Sequence, residues 1–88
     1  MGSQQASSID AYVGGRIRER RVSLGLSARE LAKIIGLTTP AVLKYETGGN
    51  RISVRRLYEI AQALNSPVEY FFDGFETAPL PEIGRAHV

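Results

Sequence analysis

The side chains of this sequence that are equipped to act on another molecule are mostly cationic, and they crowd its N-terminal part. Residues 1–56 carry ten Lys/Arg (Arg16, Arg18, Arg20, Arg21, Arg29, Lys33, Lys44, Arg51, Arg55 and Arg56) against four acids (Asp10, Glu19, Glu30 and Glu46), a formal +6. Residues 57–88 reverse the sign, with Arg85 against Glu59, Glu69, Asp73, Glu76 and Glu82, a formal −4. Such an asymmetry suggests one surface that meets a polyanion and a remainder that does not, although many arginine-rich faces are merely solvated. Bond-making chemistry has little to work with. There is no Cys, so neither a disulfide framework nor a cysteine zinc site can form. The sole histidine, His87, is the penultimate residue, which all but removes histidine catalysis and most transition-metal sites. The acids are scattered, and no nucleophile–base or paired-carboxylate arrangement emerges. We therefore expect no enzyme, no cofactor, no metal site and no small-molecule substrate.

Eighty-eight residues make one small domain with a modest core, so its elements must be well patterned. No apolar run approaches the ~20 residues of a membrane span, and nothing resembles a signal peptide. The expected setting is soluble and cytoplasmic, with no membrane contact. "MGSQQASS", residues 1–8, is polar and unpatterned and reads as a disordered tail. A domain is expected over residues 9–75. Beyond it, residues 76–88 read as an extended or disordered tail, with docking through Phe75 and Leu80 left open.

Within the domain the pattern is helical throughout. Ile9, Val13, Ile17, Arg21 and Leu24 recur at three- and four-residue steps. Gly14-Gly15 interrupts them at a cost of roughly 1 kcal/mol each relative to Ala. Either the first helix begins after the pair or something packs closely there. Gly25 ends it. Ser27 with Glu30 makes a capping box for a second helix, whose apolar face is Leu31, Ile34 and Ile35 with Ala32 on its flank. Gly36 stops it. Thr38 or Thr39 caps a third helix, Pro40 suits its first turn, Val42 and Tyr45 share one face, and Gly48-Gly49 ends it. Ser53 caps a fourth, with Leu57, Ile60, Ala61 and Leu64 as the buried stripe and Asn65 near its end. Pro67 opens a short fifth helix bearing Val68, Tyr70, Phe71 and Phe72. The expected fold is all-α, compact and five-helical. Helices two and three are the informative unit. A small residue (Ala32), a glycine four residues on (Gly36) and two apolar anchors (Val42, Tyr45) fit a helix-turn-helix, though any helical hairpin can show the Ala-to-Gly spacing.

The stretch "RIRERRVSLGLSARELAKIIGLTTPAVLKYETGGNRISVRRLYEIAQAL" resembles the Cro/phage-repressor (XRE-type) helix-turn-helix family of bacterial and phage regulators. The likeness runs from about Val13 to Phe72 and rests on "GLS..ELA", "KYE.G" and "IS...L..IA.AL" together. It is particularly similar to regulators, frequent in α-proteobacteria, with "KYE.G.NRIS" after the third helix and "YFF" at the end. The resemblance implies a lambda-repressor-like domain, Thr39 to Tyr45 as recognition helix in the major groove, and an ion pair between Arg21 and Glu46. Arg21 lies on the apolar stripe of its helix, where a charge needs a partner. Its fork is also suited to donate to a phosphate.

By the same resemblance, Thr39, Pro40, Ala41, Leu43 and Lys44 face base edges. Many relatives carry Gln or Asn first, where adenine can be read; this sequence departs from that. Thr39 offers a hydroxyl, Pro40, Ala41 and Leu43 suit a thymine methyl, and Lys44 can donate to guanine or to phosphate. The alternatives are that Thr-Thr-Pro is only a cap and that Leu43 is buried against a partner. Candidate DNA-backbone contacts are Arg21, Ser27, Ala28, Arg29, Thr38, Asn50, Arg51 and Arg55, with Arg56 beside them. Many relatives have Gln where Ala28 stands, and Arg29 is the expected compensation. Phe71 with one aromatic neighbour is expected to close the core; Tyr70, Phe72 and Phe75 are the candidate dimer patch. The functional expectation is a DNA-binding transcriptional regulator, a repressor, acting on double-stranded DNA as a homodimer with half-sites ~10 bp apart. The competing expectation is a protein-interaction module on the same fold, antitoxin-like or bound to another regulator.

Overall fold

The computed structural model describes residues 8–75. Residues 1–7 of the N-terminal tail expected over 1–8, and the C-terminal tail expected over 76–88 with Leu80 and His87, lie outside the described residues; Ser8, the last residue assigned to the first tail, is in the first helix. Four α-helices follow one another: α1 (Ser8–Ser23), α2 (Ala28–Ile35), α3 (Thr39–Thr47) and α4 (Val54–Ala63). A single 3-10 turn, Val68–Phe71, stands where a fifth helix was expected. Its bonds step three residues, from Tyr70 N–H to Pro67 O and from Phe72 N–H to Glu69 O. Pro67 on one side and the turn at Asp73-Gly74 on the other leave too little chain for a regular α-helix. Among the described residues there is no strand, and no helix is long and apolar enough to cross a membrane.

Local chemistry sets most of the boundaries. The Ser27 side chain accepts from Glu30 N–H while the Glu30 carboxylate accepts from Ser27 N–H, a complete capping box. Thr38, rather than Thr39, caps α3 by accepting from Ala41 N–H, and Ser53 caps α4 by accepting from Arg56 N–H. Gly36 turns the chain between α2 and α3 with φ 74°, ψ 32°, a left-handed conformation that a side chain would strain.

The helices close over Val13, Ile17, Leu31, Ala32, Val42, Leu57, Ile60, Ala61, Leu64 and Phe71, all buried. Three expected core positions lie outside it. Ile34 is 56% exposed. At about 100° per residue it falls beyond Leu31, on the side away from the buried Ala32, while Ile35 falls between them. Leu24 follows the end of α1 and Ile9 sits in its first turn, and both are exposed.

The glycine pair in α1 marks a helix crossing, not a helix start. A Cβ placed on Gly14 would lie 2.1 Å from the carbonyl oxygen of Tyr45 and 2.8 Å from that of Glu46. Where α3 ends, a Cβ on Gly48 would lie 2.8 Å from the Cα of Ala11. Backbone therefore meets backbone where α1 crosses the C-terminal part of α3, and this contact sets the height at which α3 sits on the body. A Cβ on Gly15 would meet nothing within 4 Å.

Candidate nucleic-acid interface

α3 is held from below and free above. Val42 is 1% exposed, Glu46 is buried and Tyr45 is half-buried against the core. The opposite face carries Pro40, Leu43, Lys44 and Thr47, all exposed, at the i, i+3, i+4, i+7 spacing of one helical stripe. Thr39 and Ala41 flank it, half-buried. Of the residues expected to face bases, the structure brings Pro40, Leu43 and Lys44 onto one surface and leaves Thr39 and Ala41 at its edge. Thr47 was missed by sequence reasoning, although its seven-residue spacing from Pro40 was there to be read. Its hydroxyl donates to the carbonyl of Lys44.

Beneath this face lies the ion pair. Arg21 Nε donates to Glu46 Oε2 at 2.6 Å and Nη2 to Glu46 Oε1 at 2.9 Å, while Nη1 donates to the Leu26 carbonyl at 2.8 Å. Both side chains are almost fully buried. Hydrogen bonding to Glu46 raises the Arg21 pKa above its ordinary value against the opposing effect of burial, so the guanidinium stays charged. With all three nitrogens engaged, Arg21 ties α1 to the last turn of α3. The geometry favours this tie over the phosphate contact first considered for it.

The other arginines divide sharply. Arg16 donates through Nε and Nη2 to the Tyr70 carbonyl, at 3.1 and 3.0 Å, with its guanidinium 4.0 Å from the Tyr70 ring centroid. Arg20 donates to the carbonyls of Leu64 and Asn65, at 3.0 and 3.3 Å. Both tie α1 to the chain that follows α4. Arg56 is half-buried and pairs with Glu59 at 2.8 Å. Arg55 also reaches Glu59, at 3.3 Å, with its side chain 89% exposed. Arg29, Lys33, Lys44 and Arg51 are exposed, as is Asn50 in the loop between α3 and α4. Part of the positive charge counted in the sequence is thus structural, while Arg18, Arg29, Lys33, Lys44, Arg51 and Arg55 stay exposed.

The helix starts offer backbone donors. At α2 the capping box uses the N–H groups of Ser27 and Glu30, leaving those of Ala28 and Arg29 free beside the positive end of the helix dipole. The Ser27 and Thr38 oxygens already accept cap bonds; the Thr38 hydroxyl hydrogen can still donate outward, whereas that of Ser27 serves the Glu30 carboxylate. The hydrogen bonds from the Ser27 backbone and side chain hold the Glu30 carboxyl below its ordinary range, so the cap carries a negative charge close to the same spot.

The three aromatics of the expected dimer patch differ in exposure. Tyr70 is half-buried beneath Arg16 and edge-on to Phe71, with centroids 5.1 Å apart. Phe75 packs against Tyr12 at 5.2 Å. Phe72 is 39% exposed and shares a shallow depression with Ile9, Val13, Ile52 and Leu57. Val54 and Tyr58, which were not singled out from the sequence, are 87% and 55% exposed one turn apart on α4.

Comparison with known proteins bears on the same elements. The helix-turn-helix family profile matches residues 17–71. An uncharacterized transcriptional regulator in the ATPase CF(0) region of Rhodospirillum rubrum is 50% identical over 68 residues, covering 77% of this chain and 63% of that protein. An uncharacterized HTH-type transcriptional regulator of Rickettsia conorii is 45% identical over 74 residues, covering 84% and 59%. The first five curated relatives are covered over only 57–63% of their own length. Among solved structures, the restriction-modification controller protein C.AhdI from Aeromonas hydrophila is similar at a TM-score of 0.71 and 30% identity, covering 75% of this chain and 100% of that one.

Proposed function

The chain belongs to the helix-turn-helix family of XRE type, and from that membership we propose that it is a sequence-specific DNA-binding transcriptional regulator, a repressor that works as a homodimer. The observation that carries this reading is the outward stripe of α3: Pro40, Leu43, Lys44 and Thr47 stand clear of a core that holds the helix rigidly from behind. An α-helix of this diameter fits the major groove. With α3 in the groove, Lys44 donates to a guanine edge or to phosphate, Thr39 hydrogen-bonds at the helix start, and Pro40, Ala41 and Leu43 make apolar contact. The free N–H groups of Ala28 and Arg29 beside Ser27, the hydroxyl of Thr38, and Arg29, Asn50, Arg51 and Arg55 would hold the flanking phosphates. An operator overlapping a promoter would then be blocked by occupancy, in the cytoplasm at the nucleoid.

Two copies related by a twofold axis would present two α3 helices to half-sites about one helical turn apart. The exposed apolar groups of Val54 and Tyr58 on α4 and of Phe72 after the 3-10 turn support self-association, with Tyr70 and Phe75 the other members of the expected patch.

The test is selection from random-sequence duplexes at two salt concentrations, with a Thr39→Ala, Lys44→Ala double variant alongside. An enriched palindrome that the variant loses is the expected result. Weak salt-sensitive binding with no enriched site, unchanged in the variant, would overturn the reading in favour of a protein-interaction module.

A further inference from the structure

The outward stripe of α3 is unusual in what it lacks. Among its four exposed residues, Lys44 can only donate, and the Thr47 hydroxyl already donates to a backbone carbonyl. Pro40 and Leu43 offer carbon alone. No side chain on the stripe has the paired donor and acceptor that recognise adenine, or the guanidinium fork that recognises guanine. The largest apolar group of the stripe is Leu43, 46% exposed, whereas the other branched aliphatic of α3, Val42, is 1% exposed.

We propose that α3 reads DNA chiefly through the C5-methyl group of a pyrimidine at the position met by Leu43, so that 5-methylcytosine replaces thymine there and affinity responds to cytosine methylation. This inference rests on the DNA-binding reading above and deepens it. Charge selects the occupant: Lys44 shares the stripe, and Arg29, Arg51 and Arg55 are exposed with it, whereas the acid of α3, Glu46, is buried in its pair with Arg21. A polyanionic duplex suits that surface, and within its major groove the feature complementary to an aliphatic side chain is the methyl group of thymine. Leucine cannot sense whether the neighbouring ring substituent is the O4 acceptor of thymine or the N4 donor of cytosine. It can sense the methyl, which thymine and 5-methylcytosine carry at the same ring position and which uracil and cytosine lack. The affinity order at that position is therefore thymine and 5-methylcytosine together, above uracil and cytosine together. One methyl group removed from water accounts for about a fourfold step per half-site.

The experiment starts from the duplex enriched by selection. Each thymine of one half-site is replaced in turn by uracil, and the sensitive position is then rebuilt with 5-methylcytosine or cytosine opposite guanine. Affinities are measured by competition at fixed salt for the native chain and for Leu43→Ala. Circular dichroism and melting of the variant confirm that loss of this exposed side chain leaves the fold intact. The expected outcome is a position where uracil weakens binding about fourfold, 5-methylcytosine restores it, and Leu43→Ala flattens all four bases. A flat uracil scan overturns the inference while leaving the DNA reading in place. So does a site where 5-methylcytosine binds as poorly as cytosine, because the base identity, not the methyl, is then being read. Failure to enrich any duplex overturns the DNA reading itself, and this inference with it.

Discussion

Gly14 and Gly15 are chemically identical neighbours in the same helix, and replacing each with alanine should move stability in opposite directions. Helix propensity favours both substitutions, by roughly 1 kcal/mol in a helix interior. At Gly15 nothing lies within 4 Å of the new Cβ, so that gain is kept. For a domain of this size it corresponds to a melting temperature about 4–8 °C higher. At Gly14 the new carbon would sit 2.1 Å from the Tyr45 carbonyl oxygen, 0.9 Å inside the 3.0 Å that Cβ contacts essentially never breach. The obstacle is backbone, which cannot rotate aside, so α1 and α3 must separate. Overpacking of this kind costs typically 1–3 kcal/mol, and more when neighbouring bonds are stretched with it. The Arg21–Glu46 pair spans the same crossing, with Glu46 itself one of the residues struck. With the 2.1 Å clash placing the cost in the upper part of that range and about 1 kcal/mol of propensity gain offsetting it, we expect Gly14→Ala to lose about 1–2 kcal/mol net, a gap of about 2–3 kcal/mol between the variants. Thermal and urea unfolding followed by circular dichroism read this directly, and an unchanged urea slope would show that the native state has shifted without a change in cooperativity. Two variants moving in the same direction would refute the account of the crossing.

Other expectations follow from the same geometry. Glu46→Ala, which leaves Arg21 buried and unpaired, should cost about 3–5 kcal/mol, whereas the paired replacement Arg21→Met with Glu46→Leu should unfold within about 1 kcal/mol of the native chain; a double-mutant cycle on melting curves checks both. If that paired variant folds, its salt dependence of DNA binding should match the native chain's, since Arg21 is assigned to the pair and not to a phosphate. Arg51→Ala should leave the melting temperature unchanged and reduce the slope of log affinity against log salt by about 0.9, read from titrations at several salt concentrations. The Glu30 carboxyl is held below its ordinary value of 4.5, so the folded state binds this proton less readily than the unfolded one. Its cap contribution is accordingly full above that value and is lost as pH falls through the lower, folded one. A carboxyl NMR titration should give a midpoint for Glu30 below 4.5 that moves upward in Ser27→Ala. Phe71→Ala, removing a side chain with no exposure, should cost about 3–5 kcal/mol, measured by the same melts.

Helix starts were readable in the sequence because capping bonds span only three residues. Ser27 to Glu30, Thr38 to Ala41 and Ser53 to Arg56 each satisfy an orphan backbone donor within one turn. The same locality made legible the turn at Gly36 and the stripe of Leu57, Ile60, Ala61 and Leu64 on α4. The motifs from "GLS..ELA" to "IS...L..IA.AL" then identified the family, since they combine these local signals at one fixed spacing. What tertiary structure decided depends on partners far along the chain. Arg16 and Arg20 count in the sequence only toward the basic N-terminal part, because the carbonyls that hold them lie 44 to 54 positions later. Ile34 belongs to an apolar run, but its neighbours fill the space facing the core and leave it at the surface. Gly14 and Gly15 are alike in sequence, and only the passage of the α3 backbone over one of them makes them different. A pattern within one turn fixes which way a residue can face, whereas what it meets there depends on how separate helices cross.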